Sequence, residues 1–395
     1  MDAKTLIVEI IASATKLPPH EIASILEIPK VTELGDFALP CFSLAARMKK
    51  DPKLIAKDIA AHIKFTKDSA IKEVKVVGAY VNFFLNKTNL AGIVLQEVYK
   101  EKANFGAGLK KTEKVMVEGF GQPNTHKAMH VGHLRNICLS DSLSKLLKFT
   151  GYPVITATYV GDIGTHVAKV LWYMQKYHSM HEHQKQKNKG EWLGKLYAES
   201  VKKVQNHPEY EKEVSEVLQK LEAKKDKDLT NLWKITRVWS LREFKRIYKQ
   251  LGVDFDEWFF ESEVEDAGKK IALGLLKKKI ARKDQGAVLV DLSDYDLDVF
   301  LILKSDGTSL YSTKDLALAK MKFERYKIDR SIYVVGSEQA FYFKQLFKTL
   351  ELMGFKQASK CHHLAYELVM LPTGKMSSRS GEVVLYSEIF DKVKA

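Results

Sequence analysis

Cysteine and long apolar stretches are scarce in this chain of 395 residues. Its three cysteines, Cys41, Cys138 and Cys361, are widely separated and form no CxxC pair, which argues against a disulfide framework and a thiolate zinc site. No uninterrupted apolar run approaches the roughly 20 residues of a membrane span, and no basic region followed by an apolar signal core begins the chain. These absences predict a cytoplasmic protein without a membrane-spanning segment.

Positive charge, in contrast, is abundant. The chain has 63 lysines and arginines against 49 aspartates and glutamates, a formal net charge of +14 at pH 7. This excess is larger than solubility requires and indicates a polyanionic partner, either nucleic acid or an acidic membrane surface. Charge alone does not distinguish these two partners.

The pattern of apolar residues divides the chain into two parts. Residues 1–108 combine helical periodicity with two alternating strands, which is typical of a small α+β domain. The stretch 102–112 contains two glycines and a lysine pair, and we interpret it as a linker. Residues 109–395 are predicted to form the second domain.

The second part follows a strand–helix–strand–helix order. It starts with a buried strand at Val115–Phe120 and a helix from about His133 to Thr150. This order predicts an α/β fold with a Rossmann-like, doubly wound parallel sheet. We interpret residues from about 178 to 300, which begin with a charged helical stretch, as an insertion, and we expect the alternation to resume with a strand at Val299–Leu303.

A histidine motif lies between the first strand and the first helix of this fold. His130 and His133 are three residues apart, so they can face the same side of a helix and donate hydrogen bonds to phosphate oxygens. Gly132 leaves room for a flat base against the backbone. Open α/β sheets bind ligands at this end, which favours a nucleotide site. The alternative is a pair of capping or core histidines.

A second motif lies far downstream, at Lys375-Met376-Ser377-Ser378-Arg379. Pro372 and Gly374 place it on a loop, and its serine hydroxyls and cationic side chains suit a phosphate clamp. A solvated basic turn is the alternative interpretation.

Together the two motifs resemble the signatures of class I aminoacyl-tRNA synthetases, an HIGH-type motif and a KMSKS-type loop. Further segments resemble arginyl-tRNA synthetase in particular. They are Pro123-Asn124-Thr125-His126-Lys127, Gly161-Asp162-Ile163-Gly164-Thr165-His166, the stretch from Asp306 to Asp315, and Val335-Gly336-Ser337-Glu338-Gln339. The first hundred residues resemble that family's tRNA-contacting domain through Gly35-Asp36-Phe37-Ala38 and the stretch from Gly78 to Phe84.

The resemblance implies an enzyme that joins L-arginine to tRNA(Arg) with ATP and Mg²⁺, without a tightly bound protein metal site. We expect it to be a monomer without a membrane partner. The implied catalytic residues are His130, His133, Lys375 and Arg379. The implied ATP contacts are Lys127, His130, Gly132, His133, Lys375, Met376, Ser377 and Ser378, and the implied arginine contacts are Glu118, Asn124, Tyr311, Asp315 and Gln339. Carboxylate and carbonyl-type acceptors of this kind suit a planar guanidinium.

Several positions depart from the family pattern. One extra residue stands between Glu118 and Pro123, Tyr342 replaces a histidine, and His166 replaces a glutamine. The resemblance also implies that the chain lacks the helical anticodon-binding domain that usually follows the second motif, and this lack predicts weakened tRNA affinity.

Several of these residues also allow other interpretations. Tyr311 could be a core residue and Asp315 a helix cap. His178, His181 and His183 fit no standard zinc spacing. The lysine-rich insertion could contact tRNA or be a solvated helical face. The rival functions are a class I synthetase for another amino acid and a non-catalytic RNA-binding relative.

Overall fold

A computed structural model describes residues 3–67, 69–178, 182–371, 374–375 and 384–394. The backbone contacts divide the chain into two compact units, Met1–Ala107 and Gly108–Ala395. Among the described residues, no helix combines the length and the apolar character needed to cross a bilayer.

The first unit contains five helices and a small sheet in its described part. The helices are α1 (Ala3–Thr15), α2 (Pro19–Ile25), α3 (Phe42–Met48), α4 (Pro52–His62) and α5 (Lys87–Glu101). The strands are β1 (Phe37–Pro40), β2 (Ile71–Val77) and β3 (Tyr80–Leu85). They pair antiparallel in the order β1-β3-β2. Fully buried Ile11, Ile55 and Phe83 lie in the core, because α1, α4 and β3 each direct one apolar side toward it.

The second unit contains the remaining elements. Its helices are α6 (Val131–Phe149), α7 (Thr165–Tyr177), α8 (Lys189–Asn206), α9 (Tyr210–Ala223), α10 (Lys227–Leu251), α11 (Glu261–Lys277), α12 (Tyr311–Tyr326), α13 (Ala340–Leu352) and α14 (Tyr386–Lys394). Its strands are β4 (Val115–Gly119), β5 (Val154–Val160), β6 (Glu257–Phe260), β7 (Arg282–Asp284), β8 (Ala287–Asp291), β9 (Val299–Leu303), β10 (Arg330–Gly336), β11 (Cys361–Tyr366), β12 (Met370–Leu371) and β13 (Gly374–Lys375).

A five-stranded parallel sheet in the order β11-β10-β4-β5-β6 forms the centre of this unit. Every residue of β4 is buried, as helices on both faces of a parallel sheet require. After β4 the chain continues to β5 on one side of the sheet. After the neighbouring strand β10 it continues to β11 on the opposite side. The carboxyl ends of β4 and β10 therefore form the switch point at which such sheets bind ligands. The predicted Rossmann-like fold is confirmed.

Two details of the predicted organisation need correction. Strand β6 lies inside the stretch 178–300 that was interpreted as an insertion, yet it pairs with β5 in the main sheet. Strand β9, predicted to continue the parallel alternation, instead pairs antiparallel with β8 in a separate sheet with β7. A short strand contains few alternating residues. The sequence pattern therefore does not show to which sheet such a strand belongs.

Helix α10 is the longest helix, and local signals set its ends. The Asp226 side chain accepts a hydrogen bond from the Leu229 N–H and caps the N-terminus. Gly252, with φ of +63°, ends the helix in the left-handed conformation that glycine adopts without strain.

Candidate active site

The two histidines of the first motif are fixed at the start of α6. His130 is the N-cap residue, and its Nδ1 accepts a hydrogen bond of 3.1 Å from the Gly132 N–H. The His133 Nδ1 accepts one of 3.1 Å from the His130 N–H. An Nδ1 that accepts a hydrogen bond leaves the proton of a neutral imidazole on Nε2. Both rings therefore have, at the helix N-terminus, an Nε2–H donor that bonds to no other residue in the described part of the chain.

Burial keeps both rings neutral. It lowers the pKa of His130 to about 4, with a further contribution from the positive charge of Lys127. Burial, His130 and Lys127 together lower the pKa of His133 well below its usual value. At pH 7 the rings therefore act as neutral N–H donors.

The position of the His130 ring leaves no space for a side chain at Gly132. A Cβ at this position would lie 2.9 Å from Cε1 of the His130 ring. The space that the glycine leaves is occupied by this ring, whereas the sequence suggested room for a nucleotide base.

Of the second motif, the structure describes the backbone of Lys375. The backbone of Lys375 lies in β13, which pairs antiparallel with β12. Met376, Ser377, Ser378 and Arg379 lie outside the described residues.

Residues 384–386, which follow the second motif in the sequence, pair with the histidine motif. Val384 O accepts from the Val131 N–H at 3.0 Å, and the Tyr386 N–H donates to Met129 O at 2.9 Å. His130 and Leu385 form a β-bridge between them. Residues 376–383 therefore connect β13 to a segment hydrogen-bonded to the histidine motif.

The histidines face a cavity of about 350 Å³. Its lining includes Asn124, Lys127, His130, His133, Lys195, Tyr197, Leu385 and Glu388. Lys127 Nζ lies 4.6 Å from the centre of the Tyr197 ring. Cationic and N–H groups at a helix N-terminus make this cavity suitable for phosphates.

A second cavity of about 400 Å³ lies at the carboxyl ends of β4, β5 and β10. All five residues predicted to contact arginine line it, namely Glu118, Asn124, Tyr311, Asp315 and Gln339. Asn124 lines both cavities, so the two share a wall. Tyr311 is 53% exposed and Gln339 is also exposed, while Glu118 is 2% exposed at the base.

Three carboxylates line this second cavity, those of Glu118, Glu261 and Asp315. Two of them form ion pairs with lysines. Lys322 Nζ lies 2.7 Å from Glu118 Oε2, and both side chains are almost fully buried. Lys314 forms an equally buried ion pair with Glu261. Asp315 accepts a hydrogen bond of 2.5 Å from Tyr342 Oη. No lysine or arginine in the described part of the chain forms an ion pair with Asp315.

The position of Asp315 perturbs its protonation. Burial first, and then the negative charges of Glu118 and Glu261, raise the pKa of Asp315 to about 7. A guanidinium entering the cavity would stabilise the ionised form of this carboxylate.

Sequence reasoning missed Lys322, Glu261 and Tyr159. Tyr159 Oη is buried, has no hydrogen-bond partner among the described atoms, and lines the second cavity. Glu261 follows β6 directly, so recognising that strand would have pointed to it. Lys322 is far from Glu118 in sequence, and no local signal identifies it.

The remaining predicted positions are placed as follows. The Nε2 of His166 is 3.0 Å from Gly161 O, and Tyr342 donates to Asp315. His178 Nδ1 bonds to Glu182, while His181 lies outside the described residues. The described residues contain no group of three or more side chains suited to hold a metal ion.

Two family models match the chain. The model described as tRNA synthetases class I (R), catalytic domain, matches residues 94–395. The model for the arginyl tRNA synthetase N terminal domain matches residues 1–85.

Individual relatives carry the name arginine–tRNA ligase. The protein of Bdellovibrio bacteriovorus is 39% identical over 380 residues, which cover 95% of this chain and 64% of the relative. That of Halothermothrix orenii is 37% identical, covering 99% of this chain and 69% of the relative. The solved arginyl-tRNA synthetase of Thermus thermophilus shares the fold, with a TM-score of 0.67 at 24% identity, covering 99% of this chain and 69% of that one. The chain therefore spans about two thirds of the length of these proteins.

Proposed function

The chain belongs to the arginyl-tRNA synthetase family of the class I tRNA synthetases, and on this premise we propose that it activates L-arginine with ATP and transfers it to tRNA(Arg). One observation carries the proposal. A phosphate-suited cavity and a cavity ringed by carboxylates share the wall residue Asn124. A carboxylate of bound arginine could thus meet the α-phosphate of bound ATP.

The first step would be an in-line displacement. A carboxylate oxygen of arginine attacks the α-phosphorus, the bond to the β-phosphate oxygen breaks, and pyrophosphate leaves. The Nε2–H groups of His130 and His133, the N-terminus of α6 and Lys127 would stabilise charge on the phosphates. We propose the same role for Lys375 and Arg379, with Met376, Ser377 and Ser378 as further ATP contacts. Mg²⁺ would enter with the triphosphate as part of the substrate.

The arginine side chain would occupy the second cavity. Asp315 supplies the carboxylate that is not ion-paired with a described residue, and Tyr311 and Gln339 lie at its exposed rim. Lys322 lies against Glu118 Oε2, and Oε1, which accepts from Gln122 Nε2 at 3.2 Å, has a second lone pair for a guanidinium. This arrangement favours a planar cation over a neutral side chain.

The second step would transfer the arginyl group. A ribose hydroxyl at the 3′ end of tRNA attacks the carbonyl carbon of arginyl-adenylate, the bond from this carbon to the phosphate oxygen breaks, AMP leaves, and the hydroxyl proton passes to a phosphate oxygen of AMP or to solvent. A third cavity of about 550 Å³ adjoins the other two and is lined by Lys127, Lys169, Lys304 and Tyr311. Its lysines suit the phosphodiester backbone of an entering strand. A cytoplasmic location and a monomeric state remain predictions from the sequence.

The test is amino-acid-dependent ATP–pyrophosphate exchange, followed by aminoacylation of total tRNA, with each amino acid in turn and tRNA present throughout. We expect activity with arginine alone. Activation of lysine, glutamine or cysteine instead would assign the site to another class I synthetase. Binding of tRNA without exchange or charging at saturating ATP and arginine would indicate a non-catalytic relative.

A further inference from the structure

Helix α10 presents four polar side chains on one face. Trp233, Thr236, Arg237 and Ser240 follow the spacing that places residues on the same side of a helix. Each of them bonds to a turn that follows a strand of the parallel sheet. We refer to these four residues as the α10 brace.

The first turn that the brace holds follows β4. The His126 N–H donates to Ser240 Oγ at 2.9 Å, and the His126 Nε2 lies 2.8 Å from Thr236 Oγ1. The Thr236 hydroxyl donates its own proton to Leu232 O at 2.8 Å. The Thr236 hydroxyl therefore links the His126 ring to the backbone of α10.

His126 combines complete burial with an uncommon backbone conformation. It is fully buried, and its φ of +64° lies in the left-handed region that side chains rarely adopt. Burial lowers its pKa to about 3, in keeping with a neutral ring bonded on both nitrogens. Such a conformation persists only where surrounding contacts fix it, and here α10 supplies two of these contacts, through Ser240 and Thr236.

The second turn that the brace holds follows β5. Trp233 Nε1–H donates to Asp162 O at 2.7 Å, and Arg237 Nε–H donates to Asp162 Oδ2 at 2.6 Å. The buried Asp162 carboxylate also accepts from the N–H and the hydroxyl of Ser262, which follows β6. One helix face is thus bonded, directly or through Asp162, to the ends of three neighbouring strands.

These turns carry the residues that face the cavities. Asn124 and Lys127 flank His126, and the Gly161 carbonyl beside Asp162 accepts from the Thr125 N–H. Thr236 and Ser240 are buried and line neither the first nor the second cavity. We propose that the α10 brace sets the position of Asn124 and Lys127, so that His126, Thr236 and Ser240 are positioning residues for both substrates.

The hydroxyl of Thr236 can be removed with little change in the shape of the side chain, which allows a direct test. Thr236→Val keeps the shape of the side chain but removes the hydroxyl that bonds to the His126 ring, whereas Thr236→Ser keeps this hydroxyl. Thr349→Val is the matched control, because Thr349 is also fully buried in a helix and its hydroxyl bonds to a carbonyl four residues back, Gln345 O at 2.8 Å. It lies on α13 and lines neither substrate cavity.

We expect Thr236→Val to lower kcat/KM for ATP by about tenfold or more in the exchange assay, mainly through KM, and to weaken ATP binding in calorimetry similarly. Thr236→Ser should recover most of this loss. Thr349→Val should stay within about twofold of the parent at a comparable melting temperature. Because ATP binding is measured directly, the outcome is readable even if no amino acid is activated.

Equal effects of Thr236→Val and Thr349→Val on ATP binding would overturn the inference. So would a Thr236→Ser variant as impaired as Thr236→Val. If Thr236→Val does not fold, Ser240→Ala replaces it, because this change removes the acceptor of the His126 N–H. Unchanged ATP binding in that variant would equally overturn the proposal.

Discussion

The imidazole of His133 has only one edge left for a ligand. Its Nδ1 is occupied by the His130 N–H at 3.1 Å, and burial keeps the ring uncharged. Its contribution to chemistry is therefore one N–H donor aimed from a helix N-terminus.

Replacing His133 by alanine should remove this donor. We expect the rate of ATP–pyrophosphate exchange to fall about a hundredfold or more, the typical effect of losing one donor to a charged transition state. The far-ultraviolet circular dichroism should not change. His20→Ala on α2 in the first unit serves as a control and should retain full exchange. A folded His133→Ala variant with undiminished exchange would refute the assigned role.

Asp315 should make arginine binding depend on pH. In the empty cavity its pKa is about 7, and a bound guanidinium lowers this pKa because it stabilises the carboxylate. Protonation therefore opposes binding, and affinity rises with pH until Asp315 is fully ionised. Between pH 8 and pH 6 we expect the dissociation constant to increase about tenfold. Asp315→Asn should bind more weakly and lose this dependence. A wild-type affinity that is flat over this range would contradict the prediction.

Replacing only one partner of the ion pair between Lys322 and Glu118 should lower the free energy of unfolding. Lys322→Met leaves a buried carboxylate without its partner, and we expect a loss of about 3–5 kcal/mol in the free energy of unfolding. The double variant with Glu118→Gln should recover much of this stability in urea titrations. Lys145→Met breaks a more exposed pair with Asp141 and should cost no more than about 1 kcal/mol. Equal losses for the two single variants would contradict the prediction.

At the scale of elements, the start of α6 combines two opposing requirements. An alanine at Gly132 favours the helix by about 1 kcal/mol, yet its Cβ would collide with the His130 ring. Gly132→Ala should therefore reduce exchange at least about tenfold by displacing this ring, with little loss of melting temperature. Gly274→Ala in α11 is the matched control, because a Cβ there meets no atom within 4 Å. A fully active Gly132→Ala variant would show that the ring position is unimportant.

The predicted elements succeeded where a pattern was long and local. The apolar run at β4 and the motif before α6 predicted a buried strand and a following helix, and the structure contains both. The four-residue strand β6 was hidden among helices, and with it Glu261. The pairing of Val131 with Val384 joins residues far apart in sequence, so that contact depends on tertiary folding.

At the scale of the whole molecule, the net charge of +14 predicts how a polyanion would bind. If tRNA contacts the chain through several lysines and arginines, its affinity should fall by at least about tenfold as salt rises from about 50 to 200 mM, because bound counterions are released on association. Fluorescence anisotropy with labelled tRNA measures this slope, and a neutral ligand such as adenosine should show almost none. Salt-independent tRNA binding would contradict this account.

The adjoining cavities differ in how they respond to protons. His130 in the first cavity keeps one protonation state throughout the neutral range, whereas Asp315 in the second cavity changes state within it. Acidification from about pH 8 to pH 6 would therefore remove a negative charge from the wall of the second cavity and leave the charge of the histidine wall unchanged. Only the second cavity would then lose affinity for a cationic ligand.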